Sequence, residues 1–318
     1  MTLKLGKDFK GVRLYKILDE TLIHYGFKYK LGENIDTLKF NPSGSCESGG
    51  LYFTDRDNIM RFLDYGDLIA TIKLDDNESI YCEEICEEDE YEYERKYKAH
   101  KIFIEKIETI INFFSNLSSN NLQIFLKQSK MTFGRTKIKI NNLCVELVKK
   151  NQLDPQLILQ HIEKPTYELC LEAVKHNGLA LEYIERRAGN KTYNLYLEAV
   201  TQNGLALEYV KYKSCDLSLP YLCLKAVKQN GLALKYVKIQ TEENCLEAVK
   251  QNGLALEYVT NQTHDICLEA IKQNNLAIKF IKYQNYDVCL EAIKQNKLAL
   301  KPIIKLPTIS KLFEQLYK

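Results

Sequence analysis

CLEAVKQNGLALEYV, residues 245–259, is one copy of a phrase that recurs through the second half of the chain. Aligned copies begin at Cys144, Cys170, Tyr196, Cys223, Cys245, Cys267 and Cys289, at steps of 26, 26, 27, 22, 22 and 22 residues. A period held over several copies marks a repeat architecture, in which no unit has a core until its neighbours stack on it. In the copy Asp265–Lys282, Cys267, Ala270, Ile271 and Asn274 fall at i, i+3, i+4 and i+7. That spacing puts them on one helical face, with Leu268 widening it and Glu269, Lys272 and Gln273 directed to water. Asp265 reads as the N-cap of this helix.

An Asn-Gly pair closes the first helix of four copies, at Asn177-Gly178, Asn203-Gly204, Asn230-Gly231 and Asn252-Gly253. Glycine is expected there in a left-handed conformation at the helix end, with the recurring asparagine capping helix ends down the stack. The second half, Leu254–Val259, suits a short helix because Ala, Leu and Glu favour helix over the competing strand pattern. Two helices in 22 residues are too short to stand alone, so stacking must supply their stability. Insertions fall at Arg186–Thr192 and Lys211–Pro220. They make Arg186, Arg187, Lys191, Lys211, Tyr212 and Lys213 the candidate partner-binding residues. Pro302 and Pro307 end the pattern, and residues 304–318 are expected to cap it.

The first hundred residues have another texture. Short β-favouring runs (Val12–Ile17, Gly50–Phe53, Leu68–Leu74, Ser79–Tyr81) are broken by Gly, Asn, Pro and Asp. Asp55–Tyr65 reads as a short helix capped by Asp55, and Lys101–Phe114 as a second helical pattern. The stretch 131–142 is open between a strand and the lead-in to the first repeat. Nine acidic side chains between Glu78 and Glu94 read as a solvated, charged edge. The organisation expected is a small α+β amino-terminal domain over 1–106, a helical connector over 107–142, an all-α solenoid of about seven two-helix repeats over 143–303, and a cap over 304–318.

The formal net charge of +2 gives no field for nucleic acid, and no apolar run is long enough to span a membrane. The opening MTLKLGKDFKG lacks the apolar core of a secretion signal. Six of the ten cysteines occupy one position of the repeat, as small buried groups in a reduced, cytosolic protein rather than a disulfide ladder. His161, His176 and His264 sit at non-equivalent places, and Cys82-x3-Cys86 has no second ligand pair, so no metal site and no cofactor is expected.

The constellation that invites a catalytic reading is His24-Tyr25-Gly26 followed by Gly49-Gly50-Leu51-Tyr52-Phe53-Thr54-Asp55. It resembles ADP-ribosyltransferases of the poly(ADP-ribose) polymerase type. The resemblance implies that His24 contacts the ribose hydroxyls of NAD, that Tyr52 stacks on nicotinamide, and that Glu83 or Glu84 supplies the catalytic carboxylate. Tyr25 interrupts the His-Gly pair of that family, and a turn at Gly49-Gly50 with a core role for Tyr52 and Phe53 explains the same letters.

Two stretches together resemble proteins of giant, amoeba-infecting viruses of the mimivirus type. HYGFKYKLGENIDTLKFNPSGSCESGGLYFTDRDNIMRFLDYG (24–66) and KYKAHKIFI (96–104) are similar to the amino-terminal domain of their ankyrin-repeat proteins. CLEAVKQNGLALEYV is similar to a helical repeat of unknown function in the same viruses and in some amoeba-associated bacteria. This chain carries those repeats where ankyrins would stand. The resemblance implies a setting in the infected host cell, in its cytoplasm or in the virion. The expected function is a non-enzymatic interaction or scaffold protein binding a host or viral protein, without nucleic acid or membrane. The alternative is an NAD-dependent ADP-ribosyltransferase head targeted by the repeats.

Overall fold

The β-favouring runs of the head become strands close to where the sequence places them. The computed structural model describes residues 2–42, 48–86, 93–128, 134–162, 164–184, 192–211, 219–282 and 286–295. The chain divides into two compact units, Met1–Thr166 and Tyr167–Lys318. The first contains β1 (Thr2–Leu5), β2 (Leu14–Leu18), β3 (Ile23–His24), β4 (Phe27–Lys28), β5 (Gly32–Ile35), β6 (Leu51–Asp55), β7 (Leu68–Lys73), β8 (Ser79–Cys86), β9 (Tyr93–Ala99) and β10 (Lys101–Thr109). Among the described residues, eight of these form one antiparallel sheet ordered β1-β8-β9-β6-β2-β7-β10-β5, and β3 pairs with β4 in a separate hairpin.

Alternation along the strands sends Leu51 and Phe53, Tyr97 and Ala99, Ile80 and Cys82, and Ile102 and Ile104 into one core with Phe9 and Tyr29. Each large apolar side chain so buried contributes about 1.5–3 kcal/mol. Helices α1 (Ile110–Ser115), α2 (Ser119–Gln128), α3 (Gly134–Lys149) and α4 (Pro155–His161) complete the unit. Tyr15 of β2 meets the ring of Phe113 edge-on at 5.2 Å, and Phe113, Phe114 and Phe125 pack on one another. Lys139 of α3 donates to the carbonyls of Leu63 and Gly66 at 3.1 and 3.2 Å. These carbonyls end the 3₁₀ helix Ile59–Tyr65, where unpaired C=O groups attract a cation.

Two local expectations in the head are corrected, and one left open is decided. Lys101–Thr109 is a strand, not a helix, because Ile102 and Ile104 point inward while Phe103 and Glu105 point out. The helix begins only at Ile110, where the Thr109 side chain accepts from Asn112 N–H. Asp55 ends β6 rather than capping a helix: its buried carboxylate accepts from the backbone N–H groups of Asp57 and Asn58 and from the Tyr97 hydroxyl. Lys137–Ile140, left open by the sequence, is helical and lies within α3.

The second unit contains the α-helical repeats. Its helices are α5 (Tyr167–His176), α6 (Leu181–Ile184), α7 (Thr192–Gln202), α8 (Leu219–Gln229), α9 (Glu242–Gln251), α10 (His264–Gln273) and α11 (Tyr286–Gln295). The inward face is the expected one: Cys245, Ala248 and Val249 in α9 and Cys267, Ala270 and Ile271 in α10 are buried. The cysteines described there are free thiols; burial pushes Cys170 up to about 12 and Cys223 up to about 11. The seventh copy beyond Gln295 and the expected cap at 304–318 lie outside the described residues.

The joints of the repeat differ from the sequence reading. The second element is helical but of 3₁₀ type, as in Gly253–Tyr258 and Gly231–Tyr236. Tighter winding turns Ala255, Leu256 and Val259 inward and leaves Leu254 half-exposed, where an α-helical period would bury it. Thr263, not Asp265, is the N-cap of α10, because that helix starts at His264; Asp265 sits in its first turn. Asn252 is extended (φ −148°, ψ 108°), and its side chain accepts from Leu254 N–H at 3.0 Å, capping the 3₁₀ element that follows. Asn177, Asn203, Asn230 and Asn274 do the same.

The repeat glycine is not left-handed. A Cβ on Gly253 would lie 2.4 Å from the Ala270 carbonyl oxygen of the next unit, and one on Gly231 would lie 2.3 Å from that of Ala248. Glycine is therefore required by the close approach of two backbones. Gln273 is exposed, as expected, and is also the other half of that joint: its side-chain oxygen accepts from Gly253 N–H at 2.5 Å, and its amide donates to the Gln251 carbonyl at 3.5 Å. Gln202, Gln229 and Gln251 accept in the same way from Gly178, Gly204 and Gly231.

Candidate functional site

Strand β2 is apolar except for one lysine, and the site is built around that residue. The Lys16 side chain is 5% exposed; its ammonium donates to the Tyr52 carbonyl at 2.9 Å, stands 3.3 Å from His24 Nδ1 and lies 4.7 Å from the Tyr29 ring centroid. The β3–β4 hairpin brings His24 to this point. Its two-residue turn, Tyr25-Gly26, has positive φ at both positions (52° and 79°), the geometry that matches the twist of paired strands. His24 is half-buried, in edge contact with the rings of Tyr25 at 4.3 Å and Tyr65 at 5.8 Å. Loss of hydration, then the Lys16 charge, lower its pKa to about 4, so the ring is neutral near pH 7.

His24, Tyr52, Lys16, Tyr25, Phe62, Tyr65 and Lys96 all line one cavity of about 50 Å³. Two residues of the transferase-like constellation thus share a space. Tyr52 is only 9% exposed, and the Lys98 ammonium, from the strand position opposite, sits 4.6 Å from its ring centroid. Glu83 is on β8, two strands from Tyr52, opposite Lys96 of β9, and is not among the described residues lining this cavity. Glu84 follows opposite Arg95, and its side chain lies outside the described residues. A second cavity, of about 190 Å³, adjoins through His24 and Tyr25. In its wall the Asp36 carboxylate accepts from Gly50 N–H at 2.5 Å and Leu38 N–H at 3.0 Å, holding the loop between β5 and β6.

Of the candidate partner-binding residues, Lys211 is exposed at the end of its repeat, while Arg186, Arg187, Lys191, Tyr212 and Lys213 lie outside the described residues. The recurring charges on the helical units are engaged locally. Glu172 pairs with Lys175 at 2.8 Å, Glu247 with Lys250 at 3.4 Å, and Lys228 reaches Glu247 of the next unit at 3.8 Å. Burial and the neighbouring Glu208 carboxylate both raise the Tyr236 pKa; burial and Glu182 do the same to Tyr209. Among the described residues no His, Cys, Asp and Glu group has the arrangement of a metal site.

Sequence reasoning missed two functional-looking elements. One is Lys16, whose signal is a lone lysine in the apolar run LYKIL (14–18). The other is the glutamine clamp, whose signal is Gln preceding Asn in units that follow a glycine-bearing unit.

A β-sheet head followed by α-helical repeats defines a repeat protein. The repeats are similar to the family described as Domain of unknown function (DUF4116), which matches residues 166–213, 221–263 and 242–284. Shorter stretches are similar to three proteins of Acanthamoeba polyphaga mimivirus, each named as an ankyrin repeat protein. The identities are 45% over 51 residues, 42% over 62 residues and 36% over 62 residues. These stretches cover 16%, 19% and 19% of this chain and 17%, 19% and 31% of the relatives, so the chain spans less than a third of the relatives it matches. No solved structure matches.

Proposed function

We propose that the chain is a giant-virus repeat protein that binds another protein, host or viral, in the infected amoeba, with the repeats forming an α-solenoid that serves as the binding surface. One observation carries this reading: every recurring polar residue of the joint is consumed within the stack. Asn252 caps the next element, Gln251 and Gln273 join units, and Glu247 pairs with lysines of its own and the preceding unit. What is left for a partner is where the units differ, above all the two insertions that carry Arg186, Arg187, Lys191, Lys211, Tyr212 and Lys213. Repeat arrays in general present such non-recurring positions along an extended surface. The mimivirus relatives, named for a protein-binding repeat, favour the same setting.

The test is capture from infected amoeba lysate by the full chain and by variants with one or both insertions shortened. A defined set of proteins recovered by the parent and lost from the doubly shortened variant supports the reading; the same set recovered by both excludes insertion-mediated binding. The transferase reading draws support from His24 and Tyr52 sharing a cavity. Its test is label transfer from NAD to lysate proteins: a parent that transfers nothing excludes it.

A further inference from the structure

Four units of the repeat place asparagine directly before glycine, at Asn177-Gly178, Asn203-Gly204, Asn230-Gly231 and Asn252-Gly253. The joint dictates both letters: asparagine caps the 3₁₀ element, and glycine lets the next backbone approach. The pair is also chemically labile. A glycine nitrogen has no side chain beside it to obstruct an attack on the asparagine side-chain carbonyl, which closes a five-membered ring. In the sixth copy Asn275 replaces the glycine, and its Cβ hinders the same attack on Asn274.

Three features of the folded joint oppose that reaction. Ring closure must bring the asparagine Cβ and the next nitrogen to the same side of the Cα–C bond, which an L residue reaches only at negative ψ. The four asparagines are held at ψ 105°, 110°, 112° and 108°. The nucleophile is occupied: each glycine is buried, and its N–H donates to a glutamine of the next unit, at 2.6, 2.5, 2.6 and 2.5 Å. The electrophile is fixed as well, because each asparagine side-chain oxygen accepts from the N–H two residues on, at 3.0 Å. Of these three, only the glutamine comes from the neighbouring unit.

We propose that each Asn-Gly joint is a latent deamidation site that the next unit's glutamine holds shut, so that loss of a neighbour is recorded covalently in the unit left behind. In the open joint the glycine nitrogen gives up its proton and bonds to asparagine Cγ, while the Cγ–Nδ2 bond breaks and ammonia leaves with the proton. Water then opens the ring at either carbonyl, leaving aspartate or isoaspartate, with no oxidation or reduction. Aspartate keeps the cap, since its carboxylate accepts the same N–H. Isoaspartate lengthens the backbone by a carbon just where the Ala248 carbonyl oxygen already fills the space beside Gly231, so a unit altered in this way cannot restack. The inference is independent of partner binding by the repeats.

The full chain, held at mildly alkaline pH, then digested and read by mass spectrometry, reports the four sites separately. In the parent each site is expected to lose its amide at least about a hundredfold more slowly than in the same chain unfolded in guanidinium chloride, because only rare local openings react. Gln251→Ala removes the clamp on Gly231 and is expected to speed the loss at Asn230 about tenfold, with Asn177, Asn203 and Asn252 within about twofold of the parent. Gln240→Ala loosens the same two units at their other end, and is expected to leave Asn230 at the parent rate. Gln229→Ala is expected to move the acceleration to Asn203. The proposal is overturned by amide loss in the folded parent at the unfolded rate, or by no acceleration at Asn230 in Gln251→Ala. Equal acceleration of all four sites in the clamp variants, or Gln240→Ala matching Gln251→Ala at Asn230, also overturns it.

Discussion

Gly231 and His24 show how differently single residues constrain this chain. Gly231 is open to no other residue, because the Ala248 carbonyl oxygen, a backbone atom of the next unit, fills the space of a Cβ. Gly231→Ala must therefore separate two units, and we expect a loss of about 2–4 kcal/mol, visible as a lower urea midpoint. Gly26→Ala, where nothing lies within 4 Å but φ is +79°, should lose only about 1 kcal/mol. His24 acts through protonation. Its folded pKa of about 4 lies below the ordinary 6.5, so the unfolded chain takes up the proton first. Its contribution is complete above pH 6.5 and is lost as pH falls from there towards 4. Allowing for the ring's partial exposure, the loss is on the order of 1 kcal/mol. Thermal midpoints measured across that window should fall less steeply in His24→Gln than in the parent.

Between elements, the informative contacts are those that join one repeat to the next. Gln251→Ala leaves Gly231 N–H without its acceptor, and we expect a loss of about 1–2 kcal/mol, with faster hydrogen exchange at the Gly231 amide. A second joint lies at the other end of the 22-residue units. Gln240 donates to the Tyr258 carbonyl at 2.8 Å and accepts from Thr260 N–H at 3.0 Å; Gln262 makes the matching bonds to Phe280 and Lys282. The helical face of Cys267, Ala270 and Ile271 was legible because its period is set by burial, which one sequence displays. The joints were not legible, since their partners lie about 20 residues away and each residue type has a commoner local role. Asn-Gly looks like a helix stop, and Gln looks like a solvated side chain. Lys101–Thr109 misled for a related reason: its isoleucines at 102, 104 and 107 satisfy parts of both periods, and only pairing with β7 decides between them. The cavity of the head was half legible. His24 and Tyr52 stood out, but Lys16 gained meaning only when its ammonium was placed among them.

For the molecule as a whole, the division at Thr166/Tyr167 has a physical basis within the first unit. The head is completed by α3: Lys139 closes the 3₁₀ helix Ile59–Tyr65, and Leu143, Val148 and Phe125 are buried. Asn141 of that helix accepts from Thr166 N–H at 2.8 Å, so the unit's last residue is tied to its interior. A fragment of residues 1–166 should therefore unfold cooperatively, while one of residues 1–142 should lose its sharp thermal transition. Circular dichroism melts of the two compare them directly.

The units that begin at Tyr196, Cys223 and Cys245 each offer a glycine N–H to the successor and a glutamine to the predecessor, so each carries both sexes of the same fastener. A duplicated or deleted block of 22 residues would meet ends that already fit, and no new interface would have to arise. Length then becomes a trait that unequal copying alone can change. The number of units in related chains should vary more readily than the residues that fasten them.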